Sequence, residues 1–143
     1  MTRYLLDTNI ISNATKPAPF EALMAWMADR NDGELFISAW TLAEIQRGIL
    51  EKPKGKKRAE LEKWFSSREG PPMLFAGRVL PFDENAAMVW ARLMAEGSAL
   101  GQPRSALDMI VAAVAEANHC VLVTDNEKHF PGLKVFNPLR AEG

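Results

Sequence analysis

Cysteine is nearly absent: Cys120 is the only one among 143 residues. A single thiol makes no internal disulfide and no multi-cysteine zinc site. It precedes Val121-Leu122-Val123, the setting of a buried strand residue, and suits a reducing compartment. Histidine is scarce as well. His119 and His129 do not stand at chelating spacing, and both read as surface residues beside turns rather than as ligands. Neither sign of charge is in excess, with a formal net charge of −1. The chain therefore exerts no bulk pull on nucleic acid, and such binding falls to a local basic patch. No apolar run is long enough to span a membrane, and no charged-then-apolar leader opens the chain. The expected setting is cytoplasmic, with no membrane partner. Internal repeats and low-complexity tracts are missing too. What remains has ordinary apolar content and enough length for a real core, most simply one domain over 1–143.

The apolar runs that are present are short. Tyr4-Leu5-Leu6 reads as a buried strand ending in Asp7-Thr8-Asn9. Residues 19–30 read as a helix, with Phe20, Leu23, Met24 and Met27 at helical spacing, and Asn31-Asp32-Gly33 as a turn. Leu35-Phe36-Ile37 is a second strand. A helix begins at about Thr41, broken by Pro53 and Gly55, and another spans 56–67. Gly70-Pro71-Pro72 reads as a loop and Val79-Leu80 as a brief strand. Asp83 is placed to cap a long helix, and Ser105 to Ala117 forms an apolar one. Strands at 120–123 and at Val135-Phe136 complete the order, and the tail from Arg140 reads as loose. Short strands alternating with helices predict an α/β fold, a parallel sheet flanked by helices.

Four acids recur at comparable points: Asp7, Glu44, Asp108 and Asp125. Each has a structural explanation. Asp7 can cap the segment after the first strand. Thr41-Leu42-Ala43-Glu44 matches a capping box, and the segments opening at Ser105 and Thr124 have the same spacing. Taken singly, capping outweighs catalysis. As a set they carry more. Asp7 and Asp125 come after strands that end at one edge of a parallel sheet, and crossover helices bearing Glu44 and Asp108 in their first turns start at that edge. Carboxylates brought together there repel one another unless a cation neutralises them. Oxygen-only ligation, without a nearby histidine or thiol, selects Mg²⁺ or Mn²⁺. Thr8, Asn9, Thr124 and Asn126 either add polar contacts to substrate or stabilise their turns.

These residues resemble a known family. Leu5-Leu6-Asp7-Thr8-Asn9-Ile10-Ile11-Ser12, Thr41-Leu42-Ala43-Glu44-Ile45-Gln46-Arg47-Gly48, Ser105-Ala106-Leu107-Asp108-Met109-Ile110-Val111-Ala112-Ala113 and Leu122-Val123-Thr124-Asp125-Asn126 through Phe130 are similar, in order and spacing, to the PIN-domain ribonucleases. In particular they resemble the VapC/FitB-like toxins of type II toxin–antitoxin systems. The resemblance implies a PIN-like three-layer α/β/α sandwich and a Mg²⁺- or Mn²⁺-dependent endoribonuclease. It implies metal-ligand roles for Asp7, Glu44 and Asp108, an RNA substrate, a homodimer and a cognate antitoxin. The last segment departs from the family pattern. Asn126 takes the central polar place, His129 stands where a later Asp is often found, and Asp125 is a substitute ligand.

Beyond the acids, the run Lys52, Lys54, Lys56, Lys57, Arg58 is either a phosphate contact or a solvated turn. Arg47 and Arg104 either reach substrate or sit exposed. Trp26, Trp40 and Trp90 read as core or interface, and Trp64-Phe65 as an apolar pair for a partner. Two other functions compete with the nuclease. One is a PIN module with a weakened site that binds RNA or antitoxin without cutting, permitted by the Asp125–His129 segment. The other is a phosphatase-like enzyme with Asp7 as nucleophile, disfavoured because Asn9 holds the place of its usual second Asp.

Overall fold

The protein is described by a computed structural model covering residues 1–140, so most of the tail expected to be loose lies outside the described residues. Its five strands are β1 (Arg3–Leu6), β2 (Leu35–Ser38), β3 (Val79–Leu80), β4 (Cys120–Val123) and β5 (Val135–Phe136). All pair in parallel, in the order β3-β2-β1-β4-β5. The helices are α1 (Thr8–Ala14), α2 (Glu21–Ala28), α3 (Ala39–Leu50), α4 (Lys56–Ser66), α5 (Pro71–Leu74), α6 (Glu84–Ala99) and α7 (Ala106–Ala117). Parallel neighbours need crossovers, and helices supply them between β1 and β4. Only a loop with a single 3-10 turn at Glu127–His129 joins β4 to β5.

The pleat sends successive side chains to opposite faces, and both faces are covered. Leu5, Phe36, Leu80, Leu122 and Val135 pack into a core with α6 and α7, around Leu93, Met109 and Val114. Their strand neighbours Leu6, Ile37, Val79, Val123 and Phe136 pack the other way, with Ile10, Leu23, Trp26 and Phe75. That is the expected three-layer α/β/α arrangement. Trp26 is the anchor of the second core, edge-on to Tyr4 with ring centroids 5.0 Å apart.

Three sequence expectations change. The helix carrying Glu44 starts at Ala39, because Ser38 is its cap: the Ser38 hydroxyl accepts from the Thr41 N–H at 3.1 Å. Thr41 is therefore no cap, and Glu44 lies in the second turn rather than the first. Pro71 and Pro72 do not make a loop. They open α5, where their missing N–H groups would have had no intrahelical partner. Arg104 is not exposed: its side chain is 2% accessible and its guanidinium donates to the carbonyls of Leu93 at 2.5 Å and Pro131 at 3.3 Å. The capping roles of Asp7, Asp83 and Ser105 hold, each side chain accepting an N–H of its helix's first turn. Among the described residues no helix is long and apolar enough to cross a membrane.

Candidate active site

The strand order reverses at β1, which has β2 on one side and β4 on the other. The chain leaves such strands in diverging directions, and their C-terminal ends open a crevice. Asp7 comes directly after β1 and Thr124 directly after β4. A cleft of about 520 Å³ opens there, and its wall includes Asp7, Thr8, Asn9, Glu44, Asp108, Asp125, Asn126 and His129. The four acids of the sequence pattern thus meet at one cleft, delivered by β1, α3, α7 and the turn after β4. Arg47 does not join them: it is exposed and paired with Glu51 at 2.8 Å.

Asp7 is held at both carboxylate oxygens. Its Oδ1 accepts the Thr8 N–H at 2.8 Å and its Oδ2 accepts the Thr124 hydroxyl at 2.9 Å. Those bonds favour the carboxylate, but burial outweighs them, and Glu44 and Asp108 add like charge. Together they push Asp7 up from the usual 3.8 to about 6. Thr124 is fully buried and serves as a hub, also accepting the Asn9 side-chain amide at 3.2 Å and the Asn126 N–H at 3.1 Å. The residues after β1 and β4 are thereby laced together across the crevice.

Glu44 is held by a different device. The Thr8 hydroxyl lies 2.5 Å from Glu44 Oε1 and 3.2 Å from the Thr41 hydroxyl. It has one proton, and the nearer, charged acceptor takes it. Thr41 then donates to Thr8, and Ser38, 3.3 Å behind, donates to Thr41. Ser38 and Thr41 are both fully buried. A chain of hydroxyls thus ends on the Glu44 carboxylate. The apparent capping spacing of Thr41 hid this role.

Asp108 sits one turn into α7. Its N–H goes to the Ser105 hydroxyl at 3.2 Å, so the cap takes the backbone and leaves the carboxylate to the cleft. His129 Nδ1 stands 3.4 Å from Asp108 Oδ2. His129 is exposed, as the sequence suggested, but the absence of a histidine near the acids is overturned. Lys16, Phe20 and Trp40 also line the cleft and carried no sequence signal. The α1–α2 connection that brings Phe20 there is tied by Asn13, whose side-chain oxygen accepts the Phe20 N–H at 3.1 Å.

The model of the PIN domain family matches residues 4–133. The chain belongs to the PIN-domain family. It is 35% identical over 136 residues to the toxin FitB of Neisseria gonorrhoeae, covering 94% of this chain and 96% of that one. It is likewise 35% identical to the VapC ribonuclease Y4jK of Sinorhizobium fredii over 136 residues, with the same coverage of 94% and 96%. Among solved structures, FitAcB from Neisseria gonorrhoeae superposes with a TM-score of 0.85 at 34% identity, covering 96% of this chain and 99% of that chain. FitAB bound to a DNA fragment gives a TM-score of 0.86 at 33% identity over 98% of each chain. The PIN fold expected from the sequence is thus the fold observed.

The donors of this PIN cleft are the kind that hard divalent ions take, carboxylates beside hydroxyls and amides. The raised Asp7 fits that too, since a cation removes the penalty that burial and its acidic neighbours impose. Among the described residues no three carboxylate, imidazole or thiol groups already stand close enough to hold one ion. Glu44 is bonded to the Thr8 hydroxyl, and His129 stands beside Asp108.

Proposed function

We propose that this PIN domain, a single domain over residues 1–143, is a divalent-metal-dependent endoribonuclease and the toxin of a toxin–antitoxin pair. The observation that carries the reading is the meeting of Asp7, Glu44 and Asp108, from three separate elements, at the switch point of the sheet. The names of its relatives, ribonucleases and toxins among them, support the same activity.

Asp7, Glu44 and Asp108 would hold Mg²⁺ or Mn²⁺, with Asp125 at the fourth corner. Such an ion lowers the pKa of a bound water and offsets charge on phosphoryl oxygens, the chemistry of phosphodiester hydrolysis. The protein's share is positioning. The Thr8 N–H and the Thr124 hydroxyl fix both oxygens of Asp7 while leaving each a lone pair. The Thr8 hydroxyl holds one oxygen of Glu44 and leaves the other unbonded. Thr8, Asn9 and Asn126 line the path for RNA, with Arg47 as an outlying phosphate contact, while Thr124, expected to touch substrate, is fully buried and acts through its bond to Asp7. The complexes solved for relatives, FitAB among them, support a cognate antitoxin as partner. We expect a homodimer and a cytoplasmic setting.

A second reading, a module that binds RNA or antitoxin without cutting, is favoured by the Asp125–His129 segment, where Asn126 takes the central polar place and His129 stands at a position often acidic in the family. One experiment separates the two. Purified, antitoxin-free protein is incubated with total RNA with and without Mg²⁺ or Mn²⁺, beside Asp7→Asn. Discrete fragments that need both the metal and Asp7 are expected. No cleavage of transfer, ribosomal or messenger RNA by folded, metal-bound protein overturns the nuclease reading in favour of the second.

A further inference from the structure

The proposed site has an acidic corner that the sequence pattern fills poorly, and beside it a side chain that the proposed reaction leaves unused. His129 Nδ1 lies 3.4 Å from Asp108 Oδ2. That separation exceeds an ordinary charge-assisted hydrogen bond, about 2.7–2.9 Å. It is near the distance between adjacent donors on one octahedral ion, about 3.0 Å for bonds of about 2.1 Å. The ring is 55% exposed, so no packing holds it out of the cleft whose wall it forms.

Its backbone, by contrast, is firmly placed. The His129 N–H donates to the Asn126 carbonyl at 3.0 Å, and the next residue, Phe130, is buried in the core. The turn starts at Glu127, whose carboxylate accepts from the Asn137 amide at 2.9 Å and pairs with Arg140 at 3.3 Å. With the backbone fixed, only the ring's own rotamer remains to be ordered when it turns onto an ion.

Asp7 and Glu44 keep lone pairs for an ion beside the hydrogen bonds they accept, and a six-coordinate ion has room for a donor beyond one from each of Asp7, Glu44, Asp108 and Asp125.

Resting on the metal-dependent reading, we infer that His129 is a nitrogen ligand to the same ion. The centre then has mixed oxygen and nitrogen donors and favours first-row transition-metal ions over Mg²⁺. Imidazole binds such ions more strongly than it binds Mg²⁺, which takes oxygen donors and releases water reluctantly.

The test uses Mn²⁺ and Mg²⁺ as separate probes on the full chain. Titration calorimetry gives the dissociation constant of each ion for wild type, His129→Ala and His129→Asp. Pulsed electron paramagnetic resonance of bound Mn²⁺ reports a nitrogen coupling if an imidazole ligates it. Wild type is expected to show that coupling and both variants to lose it. The preference for Mn²⁺ over Mg²⁺ should fall by roughly 10-fold in His129→Asp, which restores an oxygen donor. Mn²⁺ bound with no nitrogen coupling, and a preference unchanged in both variants, overturns the role of His129 while leaving the metal site intact. No binding of either ion by wild type overturns the metal-dependent reading itself, and this inference with it. Circular dichroism checks that the variants are folded, as expected for an exposed side chain.

Discussion

Replacing Asp7 by Asn should stabilise the metal-free protein at neutral pH while removing its response to metal. Asp7 is held at about 6 in the fold against 3.8 for an ordinary aspartate, chiefly by burial, with Glu44 and Asp108 adding repulsion. Its folded-state pKa is raised, so the native state binds more protons than the unfolded chain between those values. The contribution of Asp7 is therefore fully favourable only below about 3.8 and is lost as pH rises through about 6. Above that the charged form carries a penalty of about 3 kcal/mol.

Asn removes the charge and keeps the cap, since its oxygen still accepts the Thr8 N–H. Its amide does not match Thr124 as well. The Thr124 hydroxyl now donates to Asp7 and already accepts from Asn9 and from the Asn126 N–H. One poorly made bond costs on the order of 1 kcal/mol. The net gain for Asp7→Asn is then about 1–2 kcal/mol at pH 8, or roughly 3–6 °C in Tm.

The assay is urea unfolding with a chelator present, at steps from pH 4 to pH 8. The stability difference between variant and wild type should grow through pH 4–6 and level off above pH 7. Adding Mn²⁺ at 100 times its dissociation constant should raise wild type by about 2.7 kcal/mol and leave the variant nearly unmoved. A variant less stable than wild type at pH 8, or a difference that does not change with pH, refutes the electrostatic reasoning.

Two further predictions concern the frame. Arg104→Met should cost about 2 kcal/mol in urea unfolding, because it removes the guanidinium bonds to the Leu93 and Pro131 carbonyls. Gly70→Ala should destabilise by about 3 kcal/mol, the upper end of the usual cost of overpacking, read as a lowered Tm. A Cβ there would lie 2.1 Å from the Phe65 carbonyl oxygen, part of the backbone, which does not move aside as a side chain does.

Much of the fold was legible because strand and helix leave different periods. Leu5 and Leu6 go to opposite cores, as two neighbours in a strand must when both faces are covered. The helix of Ser105 to Ala117 was visible as an apolar segment between a cap and a strand. The start of α3 was misplaced because Ala39 and Trp40 show no helical stripe, while Thr41 and Glu44 imitate a capping box. The burial of Arg104 had no local signal. It depends on Gly97, where a Cβ would lie 2.8 Å from the Arg104 Cδ, and on the Pro131 carbonyl, 27 positions along the chain. The cleft positions of Lys16 and Phe20 depend likewise on how the α1–α2 connection folds over.

The acids show why capping and chemistry are poor alternatives at the edge of a parallel sheet. A helix that starts at the carboxyl edge of the strands opens its unpaired N–H groups onto the same crevice that receives ligands. Asp7 gives one oxygen to the Thr8 N–H and the other to Thr124, and still borders the cleft. At α7 the roles are divided, Ser105 taking the N–H and Asp108 keeping its carboxylate free for the cleft. At α3 the cap Ser38 also begins the hydroxyl chain that ends on Glu44. At α1 and α3 the capping residue is itself an acid of the cleft or is linked to one through hydroxyls. Removing a cap such as Ser38 should therefore disturb Glu44 as well as the helix.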